Sequence, residues 1–199
     1  PDVPQALEPG EARIWSVQLD PDSVYWRSLK SVTAGMASTD LSLTGVDLPD
    51  PGETGCEAMA GALAKVISRS GHAPVALDDR IAAICGKLRA ELPERLELNS
   101  LAQGVGLSSS RLTHLFRQET GVPLRRFLLH LKINRALAFW EPGISVSRLA
   151  TEAGFYDQPH LVRTARDMFD ALPSAYVAAG WFNVCRCGLD DQALSDFSR

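Results

Sequence analysis

The chain has 199 residues, 45% of them hydrophobic and 22% charged, with a formal net charge of −4. That length suits one large domain or two small ones, and the composition is that of a soluble globular protein rather than a disordered one. No apolar run approaches the roughly 18–20 residues that span a bilayer. The opening Pro1-Asp2-Val3-Pro4-Gln5 has neither the basic start nor the apolar stretch of a signal peptide, so a cytoplasmic address is expected. It also lacks an initiator Met, which fits a fragment or a processed product.

In chain order, the first 55 residues are rich in Asp, Pro, Gly, Ser and Thr. Ile14 to Leu19 has the β-branched and aromatic content of a short strand, closed by Asp20-Pro21-Asp22. Val24 to Leu29 is open to either a helix or an extended reading. From Glu57 to Ser70, the residues Ala58, Met59, Ala62, Leu63, Val66 and Ile67 recur at helical spacing, and Gly71-His72-Ala73-Pro74 ends that helix.

Beyond Pro74 the pattern is helical almost throughout. Asp78 or Asp79 caps a helix with Ile81, Ile84, Cys85 and Leu88 on its apolar face, stopping near Leu92-Pro93. Asn99-Ser100 precedes a short helix, 101–105, closed by Gly106. Ser108 caps a helix that carries Leu112, Leu115 and Phe116 and runs to Thr120-Gly121. Pro123 opens a longer helix, 124–140, broken by Glu141-Pro142-Gly143. A short helix over 146–153, Gly154, and a helix over 158–169 follow; the chain from about Asn183 reads as a loose tail.

Charge is unevenly distributed. Between Asp78 and Gly180 there are 13 Lys/Arg against 11 Asp/Glu, while the remainder holds 7 against 13. Within 105–135, Arg111, Arg117, Arg125, Arg126, Lys132 and Arg135 face only Glu119. A local basic surface attracts phosphates even when a distant acidic segment, more than a Debye length away, makes the total negative.

An internal repeat carries more information. Ala102-x-x-x-Gly106 recurs 48 residues later as Ala150-x-x-x-Gly154; downstream the offset becomes 49, pairing Leu112 with Leu161, Arg117 with Arg166 and Phe127 with Tyr176. The second copy thus has one extra residue in its turn, Phe155-Tyr156-Asp157 against Leu107-Ser108. In a helix-turn-helix the small residue lets the second helix pack close, and the Gly accepts a positive φ that a Cβ resists. The outer face of the second helix is then free to enter a major groove.

The segments Leu101 to Leu112, Leu115 to Pro123 and Gly154 to Leu161 resemble the DNA-binding domain of the AraC/XylS family of transcription regulators, a likeness that extends over about residues 80–179. The fold expected is mainly α: two helix-turn-helix subdomains joined by a long helix, after a small partial β/helical N-terminal segment. Its parts are a partial regulatory or dimerisation segment at 1–77 and a DNA-binding domain at 78–180, with units near 97–120 and 145–169. A tail occupies 181–199. The resemblance implies that recognition helices at about 109–119 and 158–169 read successive major-groove segments of promoter or operator DNA.

It further implies base-facing residues at Ser109, Ser110, Thr113, His114 and Arg117, then at Gln158, Pro159, His160, Val162 and Arg163, with Arg166 toward the backbone. Side-chain chemistry agrees in part: Arg163 can address guanine bidentately, Gln158 adenine, and the Thr113 methyl thymine. Ser108 and Arg117 are expected phosphate contacts, setting register without reading sequence. Against the family pattern, His114 stands where Arg is common, Ala165 where a core Phe is usual, and Asp170 where Gly usually follows Phe169. The second unit is therefore expected to contribute less to specificity than the first.

The segment before the DNA-binding region is too short for a complete effector barrel, so no intact small-molecule site is expected. Trp15, Tyr25 and Trp26 are expected in a core rather than around a pocket. RNA polymerase is a candidate second partner, and the 57–70 helix a candidate homodimer contact. His72, His114, His130 and His160 form no recognisable catalytic spacing with Cys56, Cys85, Cys185 or Cys187. The cysteines are expected as reduced thiols, and Cys185-Arg186-Cys187 lacks the spacing of a zinc pair. No enzyme activity, metal, cofactor or membrane association is expected. The competing class is a protein-interaction module that kept this fold with lost or weak DNA binding.

Overall fold

The computed structural model describes residues 19–23, 26–27, 58, 62, 76–141 and 143–169. Trp15, Tyr25, Cys56, Asp170, Tyr176, Cys185, Cys187 and most of the expected 14–19 strand, the 57–70 helix and the C-terminal tail lie outside them. Among the described residues six whole helices follow in order: α1 (Asp79–Glu91), α2 (Leu98–Gly104), α3 (Ser109–Thr120), α4 (Leu124–Ala138), α5 (Val146–Glu152) and α6 (Gln158–Phe169). The described residues contain no strand, and none of their helices is long and apolar enough to cross a membrane.

Local chemistry accounts for most helix ends. The Asp78 carboxylate accepts the Arg80 N–H at 2.9 Å, which satisfies one of the free donors that begin α1. Pro93 cannot continue α1 and disfavours a helical conformation at Leu92, which adopts a left-handed φ of 40°. Ser108 and Ser145 cap α3 and α5 by accepting the N–H groups of Arg111 and Arg148, each at 3.2 Å.

Two ends differ from the sequence expectation. The short helix begins at Leu98, upstream of the polar pair Asn99-Ser100. Asn99 is thus inside the helix, where its Oδ1 accepts the Ser109 hydroxyl at 2.5 Å instead of capping its own backbone. The long helix ends at Ala138, and Trp140 lies beyond it, buried. An indole that enters a core gains more than one further helical hydrogen bond would add.

Two hydrophobic clusters organise the packing. The first joins Ile81, Ile84, Cys85 and Leu88 of α1 to Leu101 and Ala102, to Leu112, Leu115 and Phe116, and to Leu124, Phe127 and Leu131. The second joins Ile133, Ala136 and Trp140 to Leu149, Ala150, Phe155, Leu161, Ala165 and Met168. The spacing i, i+3, i+4, i+7 in α1 is the apolar stripe of an amphipathic helix. Because α4 supplies its first half to one cluster and its second half to the other, it is structurally part of both units.

Candidate nucleic-acid interface

The repeat seen in the sequence is a repeat in space. Ala102 and Ala150 are each 1% exposed, so the following helix packs directly against them. Gly106 and Gly154 have φ of 68° and 75°. Each turn closes with the same long backbone bond: Leu107 N–H to the Ala102 carbonyl at 2.8 Å, and Phe155 N–H to the Ala150 carbonyl at 2.9 Å. The extra residue of the second turn is accommodated by burying Phe155 and turning Tyr156 outward, where it is 75% exposed.

The outer faces of α3 and α6 match residue by residue. Ser110, Thr113, His114 and Arg117 correspond to Pro159, Val162, Arg163 and Arg166, each set at i, i+3, i+4 and i+7. All are exposed except Val162, which is half-buried. Gln158 is exposed and Ser109 half-buried. The inward positions match in place but not in size: Leu112 with Leu161, Leu115 with Thr164, and Phe116 with Ala165, all buried. The smaller Ala165 shares its cluster with Met168 and Trp140.

Several side chains are already engaged. The Thr113 hydroxyl donates to the Ser110 carbonyl at 2.9 Å, which leaves its methyl and an oxygen lone pair to face outward. Ser108 Oγ accepts from Arg111 N, so its own proton remains able to reach a phosphate. In the second unit that capping role belongs to Asp157, whose Oδ1 accepts the His160 N–H at 2.7 Å. A carboxylate there offers no proton and repels phosphate.

His160 is turned partly inward, with its ring edge-on to Phe155 at a centroid distance of 5.2 Å. Burial, together with the nearby charges of Lys132 and Arg163, pulls its pKa below the ordinary imidazole value. The family resemblance places it among the base-facing residues; in the structure its ring rests on the turn of its own unit. Lys132, counted with the basic cluster of 105–135, is also interior, while Arg111, Arg117, Arg125 and Arg135 are exposed. Asn99, which the sequence places ahead of the short helix, instead holds the Ser109 hydroxyl from within it, a contact between two helices that no local pattern signals.

Two helix-turn-helix units in matching register on one shared helix define a nucleic-acid-binding class of fold. Residues 101–179 match a helix-turn-helix domain family. The chain is 31% identical over 115 residues to the arabinose operon regulatory protein of Salmonella typhimurium, covering 57% of this chain and 40% of that protein. It is 30% identical over 116 residues to the Escherichia coli protein of the same name, covering 57% and 39%. An uncharacterised HTH-type transcriptional regulator of Bacillus subtilis is 28% identical over 83 residues, covering 42% and 30%. The matching region is thus a helix-turn-helix domain similar to part of these bacterial regulatory proteins. The chain spans about 40% of the length of the arabinose operon regulators it matches.

Proposed function

We propose that the chain is a sequence-specific DNA-binding transcription regulator that inserts α3 and α6 into successive major-groove segments of double-stranded DNA. The observation that carries this reading is the register match between the exposed faces 110/113/114/117 and 159/162/163/166 above equivalent glycine turns. Direct readout falls to Thr113, His114, Gln158 and Arg163, and Ser108, Arg117 and Arg166 contact the phosphate backbone. Ser109, Ser110, Pro159 and Val162 shape the surface between them, and His160 supports the second turn.

The first unit contributes more specificity than the second. Asp157 replaces the capping hydroxyl of Ser108, and His160 and Val162 are partly withdrawn, which leaves Arg163 as the strongest base reader of α6. Arg163→Ala costing as much discrimination between DNA sequences as Thr113→Ala combined with His114→Ala would overturn this ranking.

Selection of bound sequences from a random double-stranded DNA pool, followed by gel-shift titration over salt, tests the whole reading. Two enriched half-sites are expected, about one helical turn apart. Affinity should fall about a thousandfold or more from 50 to 200 mM salt if six or more phosphates are contacted. Negligible binding to every DNA, independent of salt, would favour the interaction-module reading, which the chain's net acidity and the Asp157 carboxylate motivate.

A further inference from the structure

Lys132 lies in the middle of α4 and is 1% exposed. Its ammonium donates to the Glu94 carbonyl at 3.2 Å, in the connection between α1 and α2 of the first unit. The same nitrogen stands 6.0 Å from the ring centroid of Phe155, in the turn of the second unit. A Cβ placed on Gly154 would lie 3.9 Å from the Leu92 carbonyl oxygen and 4.0 Å from Lys132 Cε. One cation and its stem therefore touch both units at a place where they meet.

Two other α4 cations reach the second unit. Arg126 donates to the Asp167 carbonyl at 3.3 Å in α6, and Arg135 to the Glu152 carbonyl at 2.9 Å at the end of α5. Basic groups at the carbonyl ends of helices interact favourably with the helix dipole. They hold α5 and α6 against α4. Lys132 reaches the other way, to the loop that joins α1 and α2.

Burial opposes the charge on Lys132, lowering its pKa from the ordinary lysine value. Well-packed apolar residues commonly replace buried charges without loss of stability, so packing alone does not account for an ammonium here. The hydrogen bond to the Glu94 carbonyl accounts for it, because a shift of the α1–α2 loop away from α4 would leave the buried ammonium unpaired. We propose that Lys132 is a positioning residue that fixes the angle between α3 and α6, and thereby the half-site spacing that the chain accepts. The spacing half of this proposal rests on the DNA-binding reading; the angle is a property of the free protein.

Spin labels carried by non-cysteine unnatural residues at Arg111 on α3 and Asp167 on α6 give that angle as a distance distribution in the absence of DNA. The native chain and Lys132→Arg should give one narrow distribution, and Lys132→Met a broader or displaced one. Lys132→Leu serves as a second variant should the methionine form not fold. An apolar variant with helical content intact and a distribution identical to the native one would overturn the proposal.

On the DNA selected by the native chain, lengthening or shortening the spacer by one base pair should weaken native binding by about tenfold, the effect of a poorly met site. For Lys132→Met the same change should cost less than about threefold. An equal spacer penalty in both proteins would overturn the spacing role. Absence of native binding to any DNA would sink the DNA-binding reading, and the distance measurement would still decide the positioning role.

Discussion

Asp20 Oδ1 lies 2.7 Å from His130 Nε2, a contact that spans 110 positions of sequence. Asn134 Nδ2 donates to the same oxygen at 2.9 Å, and Arg89 Nη1 donates to Oδ2 at 3.0 Å. Arg89 Nη2 also meets both oxygens of Asp22, at 2.7 and 2.9 Å. Further along, the Trp26 indole N–H donates to the Thr120 carbonyl at 2.8 Å. A short acidic stretch before α1 is thus fastened to α1, the end of α3 and the middle of α4.

Burial alone would raise the Asp20 pKa, but the hydrogen bond to His130 and the charge of Arg89 outweigh it and hold the carboxyl at about 2, against an ordinary 3.8. A depressed carboxylate stabilises the fold fully above its unfolded pKa and loses that contribution as pH falls through its folded one. The window here is about pH 4 down to 2, and the contribution is about 2 kcal/mol. Asp20→Asn should be less stable than the native chain at pH 6 by roughly that amount in urea denaturation, the gap closing toward pH 2. A gap unchanged across this range would show that the ion-pair account is wrong.

Gly106→Ala and Gly154→Ala should each destabilise by about 1–2 kcal/mol, the cost of a left-handed conformation at a residue with a Cβ. An added methyl meets nothing within 4 Å at Gly106 and only ordinary contacts at Gly154, so backbone strain is the main term at both. Chemical denaturation of the two variants checks this. A variant as stable as the parent would mean that its turn relaxes to another conformation.

Phe116 is fully buried and meets Phe127 edge-on at a centroid distance of 5.3 Å. Phe116→Ala should cost about 3–5 kcal/mol through lost burial and a residual cavity. The same residue type already occupies the equivalent place in the second unit, where Ala165 is native. Thermal unfolding should therefore show the damage in amide exchange of α1 to α3 before α5 and α6; uniform loss across all six helices would contradict two separable clusters.

Asp157→Asn keeps an oxygen able to cap α6 while removing a negative charge from the helix end that the proposed binding mode sets toward phosphate. DNA affinity at low salt should rise about threefold, the scale of one exposed charge near a helix terminus. Gel-shift titration at two salt concentrations measures it. Weaker binding by the variant would mean that the carboxylate takes part in recognition.

The glycine turn within each copy of the repeat, the caps at Asp78 and Ser108 and the apolar stripes were written in the sequence, because each depends on residues no more than about ten positions apart. Ala102 and Gly106, Ala150 and Gly154, Ser108 and Pro123 announce their structure through backbone preferences that act locally. The helix starts at Leu98 and ends at Ala138 escaped that reading, since Asn99 found a partner in α3 and Trp140 found a core. The inward leucines Leu112 and Leu161 were readable through the change of offset from 48 to 49, whereas the individual residues of the outer faces came from the family resemblance.

What only the tertiary structure decided is which charged side chains remain outside. Lys132 and Arg135 are three residues apart in one basic cluster, yet one is interior and the other exposed. Asp20 lies far in sequence from every group that lowers its pKa. His160 shares a helix with Arg163 but rests on Phe155. The sequence by itself determined two helix-turn-helix units, whereas burial is set by which distant surfaces meet, and no local pattern encodes that meeting.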